Sequence, residues 1–170
     1  YIGLEYPSGH TRSSLIKLGM LLHDIAKPHC RAIRDEDGRI TFIGHERRGA
    51  DFVRDYFTHY KFPGYERDYV CALVEGHLRP GFLIPKNTER PKVAYRFFRD
   101  YEDAAVGIIL VSLADRLAAQ GEMVTEEINE RHRKAADYLL DSLYNRTELV
   151  VRPPQLIDGG TIMHELRIPP

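Results

Sequence analysis

The chain has 170 residues, of which 43% are hydrophobic, so it is long enough to bury the core of one globular domain. Its 24 lysines and arginines balance 25 aspartates and glutamates, which excludes a strong long-range attraction to nucleic acid or to an anionic membrane but leaves a local basic patch open. No apolar run approaches the ~20 residues of a membrane-spanning helix. The two cysteines fit neither a paired zinc motif nor a disulfide framework, so we expect free thiols and a cytoplasmic location.

The first predicted helix precedes Pro28, which enforces its end. Ser13 or Ser14 is the candidate N-cap, and apolar residues then recur at helical spacing. Between Arg34 and Ile43 the pair Asp37-Gly38 is a tight-turn signal, so a small loop or hairpin is expected there.

Two further helices are predicted in the middle of the chain. The segment Gly44 to Tyr60 has helical periodicity and ends before Pro63-Gly64. Its expected inward face consists of Gly49, Phe52, Val53, Tyr56, Phe57 and Tyr60. A third helix runs from about Tyr65 to His77, and Thr88 is the candidate cap of a short helix that follows a proline-containing loop.

The last two predicted helices frame the expected core. Ala104 to Ala114 is apolar on every side except at Gly107 and Ser112, which is the pattern of a helix in the middle of a bundle. An amphipathic helix spans roughly Glu126 to Tyr144, and Pro153-Pro154 begins a less regular tail. The sequence therefore predicts an all-α helical bundle.

Imidazoles and carboxylates stand at the ends of the predicted buried faces. His23 and Asp24 close the first helix, and His45 lies on the apolar face of the second. His77 ends the apolar face of the third, and Asp115 directly follows the apolar run. Four separate helices therefore each bring a potential metal ligand to the end of a buried face.

Each of these residues also has an ordinary structural interpretation. A lone histidine on an apolar face is more often hydrogen-bonded to a carbonyl group than bound to a metal. A carboxylate such as Asp115 beside a buried helix needs a cation, and Arg116 is an alternative partner. Taken together, mixed imidazole and carboxylate ligands favour a borderline or hard divalent ion: Mn, Fe, Co, Ni, Zn or Mg.

The motifs resemble those of a known family in their order and spacing. His23-Asp24-Ile25-Ala26-Lys27-Pro28 resembles the signature of the HD superfamily of metal-dependent phosphohydrolases, with Ala26 where members often carry glycine. More closely, the chain resembles the HD region of the tRNA nucleotidyltransferase and poly(A) polymerase (CCA-adding) family. The segments that carry this resemblance are Leu21 to Pro28, Asp37 to Glu46, Gly76 to Pro80, Leu113 to Asp115 and Pro153 to Pro170.

The resemblance implies a compact HD-domain bundle that holds one or two divalent ions and hydrolyses phosphoesters with metal-activated water. The metal ligands that it implies are His23, Asp24, His45, His77 and Asp115. Asp24 is then also catalytic, and Lys27 and Arg79, next to proposed ligands, are candidates to bind phosphate oxygens; their alternative is solvated surface charge. The family pattern has one more histidine upstream of the His-Asp pair. His10 lies close to that pair in a loop or helix start, so the sequence leaves two candidates for this ligand, His10 and a histidine that precedes this chain, and its position favours the second.

Two functions stay open from the sequence. The first is a divalent-metal-dependent phosphohydrolase that acts on a nucleotide, a 2′,3′-cyclic phosphate or an RNA-end phosphate; hydrolysis of a signalling nucleotide would use the same ligands. The second is a catalytically inert structural or RNA-positioning module of a tRNA-processing enzyme. We expect residues 1–145 to form the HD domain and residues 146–170 to begin a C-terminal extension, with the nucleotidyltransferase region upstream of this chain and tRNA as a partner of the full-length protein.

Overall fold

The computed structural model describes residues 1–83, 91–119, 125–154 and 159–167, which form a bundle of helices with one small antiparallel sheet. The helices are α1 Arg12–Leu22, α2 His45–His59, α3 Gly64–Gly76, α4 Arg79–Phe82, α5 Pro91–Tyr101, α6 Ala105–Ala118, α7 Glu126–Tyr144 and α8 Gly159–Leu166. The strands are β1 Ala32–Ile33 and β2 Ile40–Thr41, in the register that places Ala32 opposite Thr41. The predicted all-α class and the small hairpin are confirmed. None of the helices in the described ranges combines the length and apolarity that a membrane span requires.

Helix α1 begins with a reciprocal pair of side-chain caps. Thr11 Oγ1 accepts a hydrogen bond from the Ser14 amide at 3.2 Å, and Ser14 Oγ accepts one from the Thr11 amide at 3.1 Å. This capping box satisfies amides that the first helical turn leaves open. The N-cap is therefore Thr11, and the prediction of Ser13 or Ser14 was wrong because Ser14 is the partner of the cap.

Helix α3 packs against α1, α2 and α6 at the centre of the bundle. Glycines allow two of these crossings, because a Cβ on Gly19 of α1 would lie 2.6 Å from Leu73 Cδ1, and one on Gly76 would lie 2.6 Å from Ile108 Cδ1. The largest buried aliphatic and aromatic side chains include Leu15, Leu73, Phe97, Ile108, Ile109 and Leu139. The close crossings bring the ends of α1, α3 and α6 together.

The inward face predicted for α2 is only partly correct. Gly49, Val53 and Phe57 are buried, but Tyr56 and Tyr60 are exposed. The reason is that α2 packs mainly against α3, so one row of side chains is covered and the neighbouring row is not.

The remaining predictions concern the second half of the chain. Helix α6 is buried from Ala105 to Ser112 except at the half-buried Leu110, and α7 has the predicted bounds. A helical turn at Thr147–Val151 packs against α5 and α7 and buries Val150, while the division at residue 145 stays a prediction. The predicted cap Thr88 lies outside the described residues. Cys30 and Cys71 are free thiols, as expected.

Candidate metal centre

Five side chains that the sequence places at helix ends meet on one side of the bundle. His23 and Asp24 directly follow α1, and His45 is the first residue of α2. His77 directly follows α3, and Asp115 lies in the last turn of α6. The close crossings of these helices therefore turn four sequence-distant segments into one group.

Asp24 stands in the middle of this group. His23 Nε2 lies 3.2 Å from Asp24 Oδ2, and His45 Nε2 lies 3.2 Å from Asp24 Oδ1. His77 Nε2 lies 4.0 Å from Oδ1, and Asp115 Oδ1 lies 3.3 Å from His23 Nε2 on the other side. Ligand atoms of His23, Asp24 and His77 all fall within 4.8 Å of one another, which is close enough to share one cation, and His45 and Asp115 flank this trio.

The three imidazoles are oriented by the same backbone contact. In each, Nδ1 faces the carbonyl oxygen of the residue three positions earlier. The nitrogen–oxygen distances are 2.6 Å for His23 and Met20, 2.7 Å for His45 and Phe42, and 2.7 Å for His77 and Val74. A carbonyl oxygen only accepts, so Nδ1 carries the hydrogen and, in the neutral ring, Nε2 carries the lone pair. This arrangement is typical of histidines that ligate metals.

The electrostatics around Asp24 Oδ1 favour a cation. This oxygen is buried and has no hydrogen-bond donor among the described residues. It faces the Nε2 atoms of His45 and His77, and burial lowers the pKa of His77, so that ring presents a lone pair rather than a proton. Buried acceptors that face one another are costly unless a positive charge lies between them. The donor set therefore fits a divalent ion.

His23 carries an extra proton, shared with Asp24 and Asp115, when no cation is present. Hydrogen bonds to Asp115 and Asp24 raise the pKa of His23 to about 10. Burial opposes ionisation of Asp24, but hydrogen bonds from His23 and Lys27 hold the pKa of Asp24 well below its usual value. The hydrogen bond from His23 also lowers the pKa of Asp115. The proton on His23 thus supplies the positive charge that a bound cation would replace.

The two proposed phosphate-binding cations lie in different places. Lys27 Nζ lies 2.5 Å from Asp24 Oδ2 and therefore belongs to the group. Arg79 on α4 is half-exposed, and its Nη2 lies 3.9 Å from Asp100 Oδ2 of α5. The structure thus brings Lys27, but not the guanidinium of Arg79, against a proposed ligand.

Two histidines that are not among the predicted metal ligands make other contacts. His10 Nδ1 lies 2.6 Å from Glu66 Oε2 and its ring stacks on Phe62, so it does not join the group. His132 of α7 packs so closely on α4 that a Cβ on Gly81 would lie 2.7 Å from its Nε2. His132 therefore supports the segment that follows His77.

The alternative ion pair between Asp115 and Arg116 does not form. Arg116 Nε instead donates a hydrogen bond to Asn129 Oδ1 of α7 at 2.9 Å. This bond ties the helix turn that carries Asp115 to α7. No sequence motif marks it, because it depends on how α6 and α7 cross.

Comparison with known proteins identifies relatives over most of the chain. The family model described as HD domain matches residues 1–120. The A-adding tRNA nucleotidyltransferase of Deinococcus radiodurans is 30% identical over 156 residues, which cover 92% of this chain and 34% of that protein. The CC-adding tRNA nucleotidyltransferase of Thermus thermophilus is 32% identical over 105 residues, which cover 62% of this chain and 23% of that protein. The matched region thus makes up about a third or less of each curated relative.

Proposed function

The chain belongs to the HD domain family, and from that premise we propose that it is a divalent-metal-dependent phosphohydrolase. Its proposed substrate is a nucleotide, a 2′,3′-cyclic phosphate or an RNA-end phosphoester. We propose further that it is the HD region of a tRNA nucleotidyltransferase or poly(A) polymerase-like protein of RNA processing, which the names of the two relatives support.

One observation carries the metal-dependent part of this proposal. Within the described ranges Asp24 Oδ1 is buried without a hydrogen-bond donor, and it faces the Nε2 atoms of imidazoles whose Nδ1 hydrogens already bond to carbonyl groups. A divalent ion satisfies all of these acceptors at once. A bound divalent ion also supplies the chemistry, since it lowers the pKa of its water and polarises a phosphoryl oxygen.

The chain's own residues define how a substrate reaches the centre. The imidazole of His77 is only 1% exposed, whereas the side chains of Asp24 and Asp115 are 32% and 38% exposed. A phosphoester therefore approaches from the carboxylate side, with the imidazoles forming the floor. Lys27 lies on that side and can donate to a phosphate oxygen, because its ammonium has three hydrogens and Asp24 accepts only one.

The test is metal content and hydrolysis by the 170-residue chain. The purified protein should bind Mn²⁺ or Co²⁺ and hydrolyse 2′,3′-cyclic nucleotides, and Asp24→Ala should abolish both. Asp137→Ala, which removes an exposed aspartate of α7, is the matched control and should change neither. Hydrolysis that persists in Asp24→Ala at the wild-type rate would sink the proposal.

The second candidate is an inert RNA-positioning module. It is favoured by one observation, namely that Glu66 holds His10, so the described residues add no further histidine to the group. An inert module would bind tRNA with the same affinity in the presence and absence of the metal and would hydrolyse no phosphoester. The same metal titration, performed with tRNA, separates the two functions.

A further inference from the structure

Two aromatic side chains of α2 and that of Tyr60, the residue directly after the helix, form a row along its surface. Phe52, Tyr56 and Tyr60 follow one another at intervals of four residues, so they are neighbours on one side of the helix. Tyr56 is 61% exposed and Tyr60 is 62% exposed, and their ring centroids lie 4.6 Å apart. We refer to these three residues as the aromatic row.

The aromatic row starts beside the metal centre. Phe52 and Tyr56 are seven and eleven residues after His45, which places both within about 20° of His45 around the helix axis. The ring of Phe52 also packs edge-on against His29, at 5.1 Å between centroids, in the turn that follows Asp24. The row therefore runs from the proposed ligands out along α2.

A fixed guanidinium borders the inner end of the row. Arg48 lies over the ring of Phe52, with Cζ 5.5 Å from the ring centroid, and its Nη1 donates to the His29 carbonyl at 3.3 Å. Arg48 is exposed, so it keeps hydrogens available for a phosphate. Exposed aromatic faces with a neighbouring arginine are the combination that binds the bases and phosphates of single strands.

We propose that the aromatic row binds the single-stranded end of an RNA whose terminal phosphate enters the metal centre. Bases stack on Tyr56 and Tyr60, and Arg48 contacts the backbone between the stacked bases and the metal ligands. This assignment rests on the proposed function and adds a substrate class to it, namely an RNA end longer than one nucleotide.

The polar surface around the row disfavours a protein partner, which would need a continuous apolar patch. The exposed residues beside the rings are polar, including Asp55 and His59, so the rings are not part of a continuous apolar patch. The aspartates Asp51 and Asp55 also reduce the attraction of polyanions in general. Stacking must therefore supply most of the affinity, and binding should depend only weakly on salt.

The test compares a short and a long substrate in the same variants. With Tyr56→Ala/Tyr60→Ala, the KM for a single-stranded oligoribonucleotide ending in a 2′,3′-cyclic phosphate should rise about ten-fold with kcat unchanged. Hydrolysis of a 2′,3′-cyclic mononucleotide should stay at the wild-type rate. Tyr56→Phe/Tyr60→Phe should keep the low KM because the rings remain, and Tyr144→Ala, which removes a 64% exposed tyrosine of α7, is the matched control.

Binding of the same oligoribonucleotide with a terminal 3′-phosphate, measured by fluorescence anisotropy, separates this inference from the proposed function. If the wild-type chain hydrolyses no phosphoester, the proposed function fails. Loss of oligonucleotide binding in the double alanine variant would still support RNA binding by the aromatic row. Unchanged oligonucleotide binding in that variant overturns the inference. It is equally overturned if the substitutions only convert a dimer to a monomer in sedimentation, because the row is then a contact between two copies of the chain.

Discussion

His10 with Glu66 and the group around Asp24 both combine histidine with a buried or half-buried carboxylate, and of these two the group around Asp24 has the features of a metal centre. Glu66 of α3 is 2% exposed, yet Ser8 Oγ donates to its Oε1 at 2.5 Å and His10 Nδ1 meets its Oε2 at 2.6 Å. Asp24 is less buried, but its Oδ1 has no hydrogen-bond donor in the part of the chain that the structure describes, and it faces imidazole nitrogens. Burial of a carboxylate is therefore a poor indicator of metal ligation, and an unsatisfied buried acceptor is a better one.

The two groups also differ in how their histidines are held. His10 lies in the segment before α1, where its ring stacks on Phe62 and its Nδ1 is used for Glu66. In the proposed centre every Nδ1 bonds to a carbonyl group of its own segment, so every Nε2 faces the shared group: that of His23 faces Asp115 and Asp24, and those of His45 and His77 face Asp24 Oδ1. The first group fixes the amino-terminal segment to α3, and the second leaves ligand atoms for an ion.

The largest expected effect follows from removing the negative charge of Asp24. A divalent ion at 1,000 times its dissociation constant should stabilise the wild-type chain by about 4 kcal/mol. In Asp24→Asn this stabilisation should disappear, because the central anionic ligand is lost. This stabilisation is measured by comparing thermal unfolding in the presence of Co²⁺ or Mn²⁺ with unfolding in the presence of a chelator. If the metal stabilises Asp24→Asn as much as the wild-type chain, the group around Asp24 is not the metal centre.

For Glu66 we expect the opposite result, namely a loss of stability with no change in metal binding. Glu66→Gln should lower the free energy of unfolding by about 2 kcal/mol, because an amide cannot accept both hydrogen bonds and one donor is left poorly paired. The stabilisation by Co²⁺ should be the same as in the wild-type chain. Urea unfolding with and without the metal checks both, and Glu75→Gln, which changes an exposed residue of the same helix, is the control. Weaker metal binding in Glu66→Gln would contradict the structural role of this group.

Sequence periodicity predicted the helices and the positions at which His45, His77 and Asp115 leave buried faces, because a 3.6-residue period determines which side of a helix faces the core. It did not predict that Tyr56 and Tyr60 are exposed, since the width of a covered face depends on how many helices pack on it. Nor did periodicity predict that the carboxylate of Glu66 has hydrogen-bond donors, because these donors come from a separate segment of the chain. The ligand role of the proposed metal set stays a prediction of the resemblance and of the geometry.

The smallest expected effect concerns the bond that supports the metal centre from α7. Arg116 Nε donates to Asn129 Oδ1 at 2.9 Å, and Arg116 is the neighbour of Asp115 on α6. Arg116→Gln should weaken Co²⁺ binding about ten-fold, as is usual when a residue that positions a ligand is lost. The loss of stability should be about 1 kcal/mol.

Asn129→Ala removes the same bond from the other side, so it should weaken Co²⁺ binding to a similar extent. The double variant should then be no weaker than either single variant, because the two residues act through one contact. Arg133→Ala, which changes an exposed arginine of α7, is the control and should bind Co²⁺ normally. If the losses of Co²⁺ affinity in the double variant are additive, Arg116 acts on the metal centre by a route other than Asn129. The hydrogen bond between α6 and α7 would then no longer explain how Asp115 is positioned.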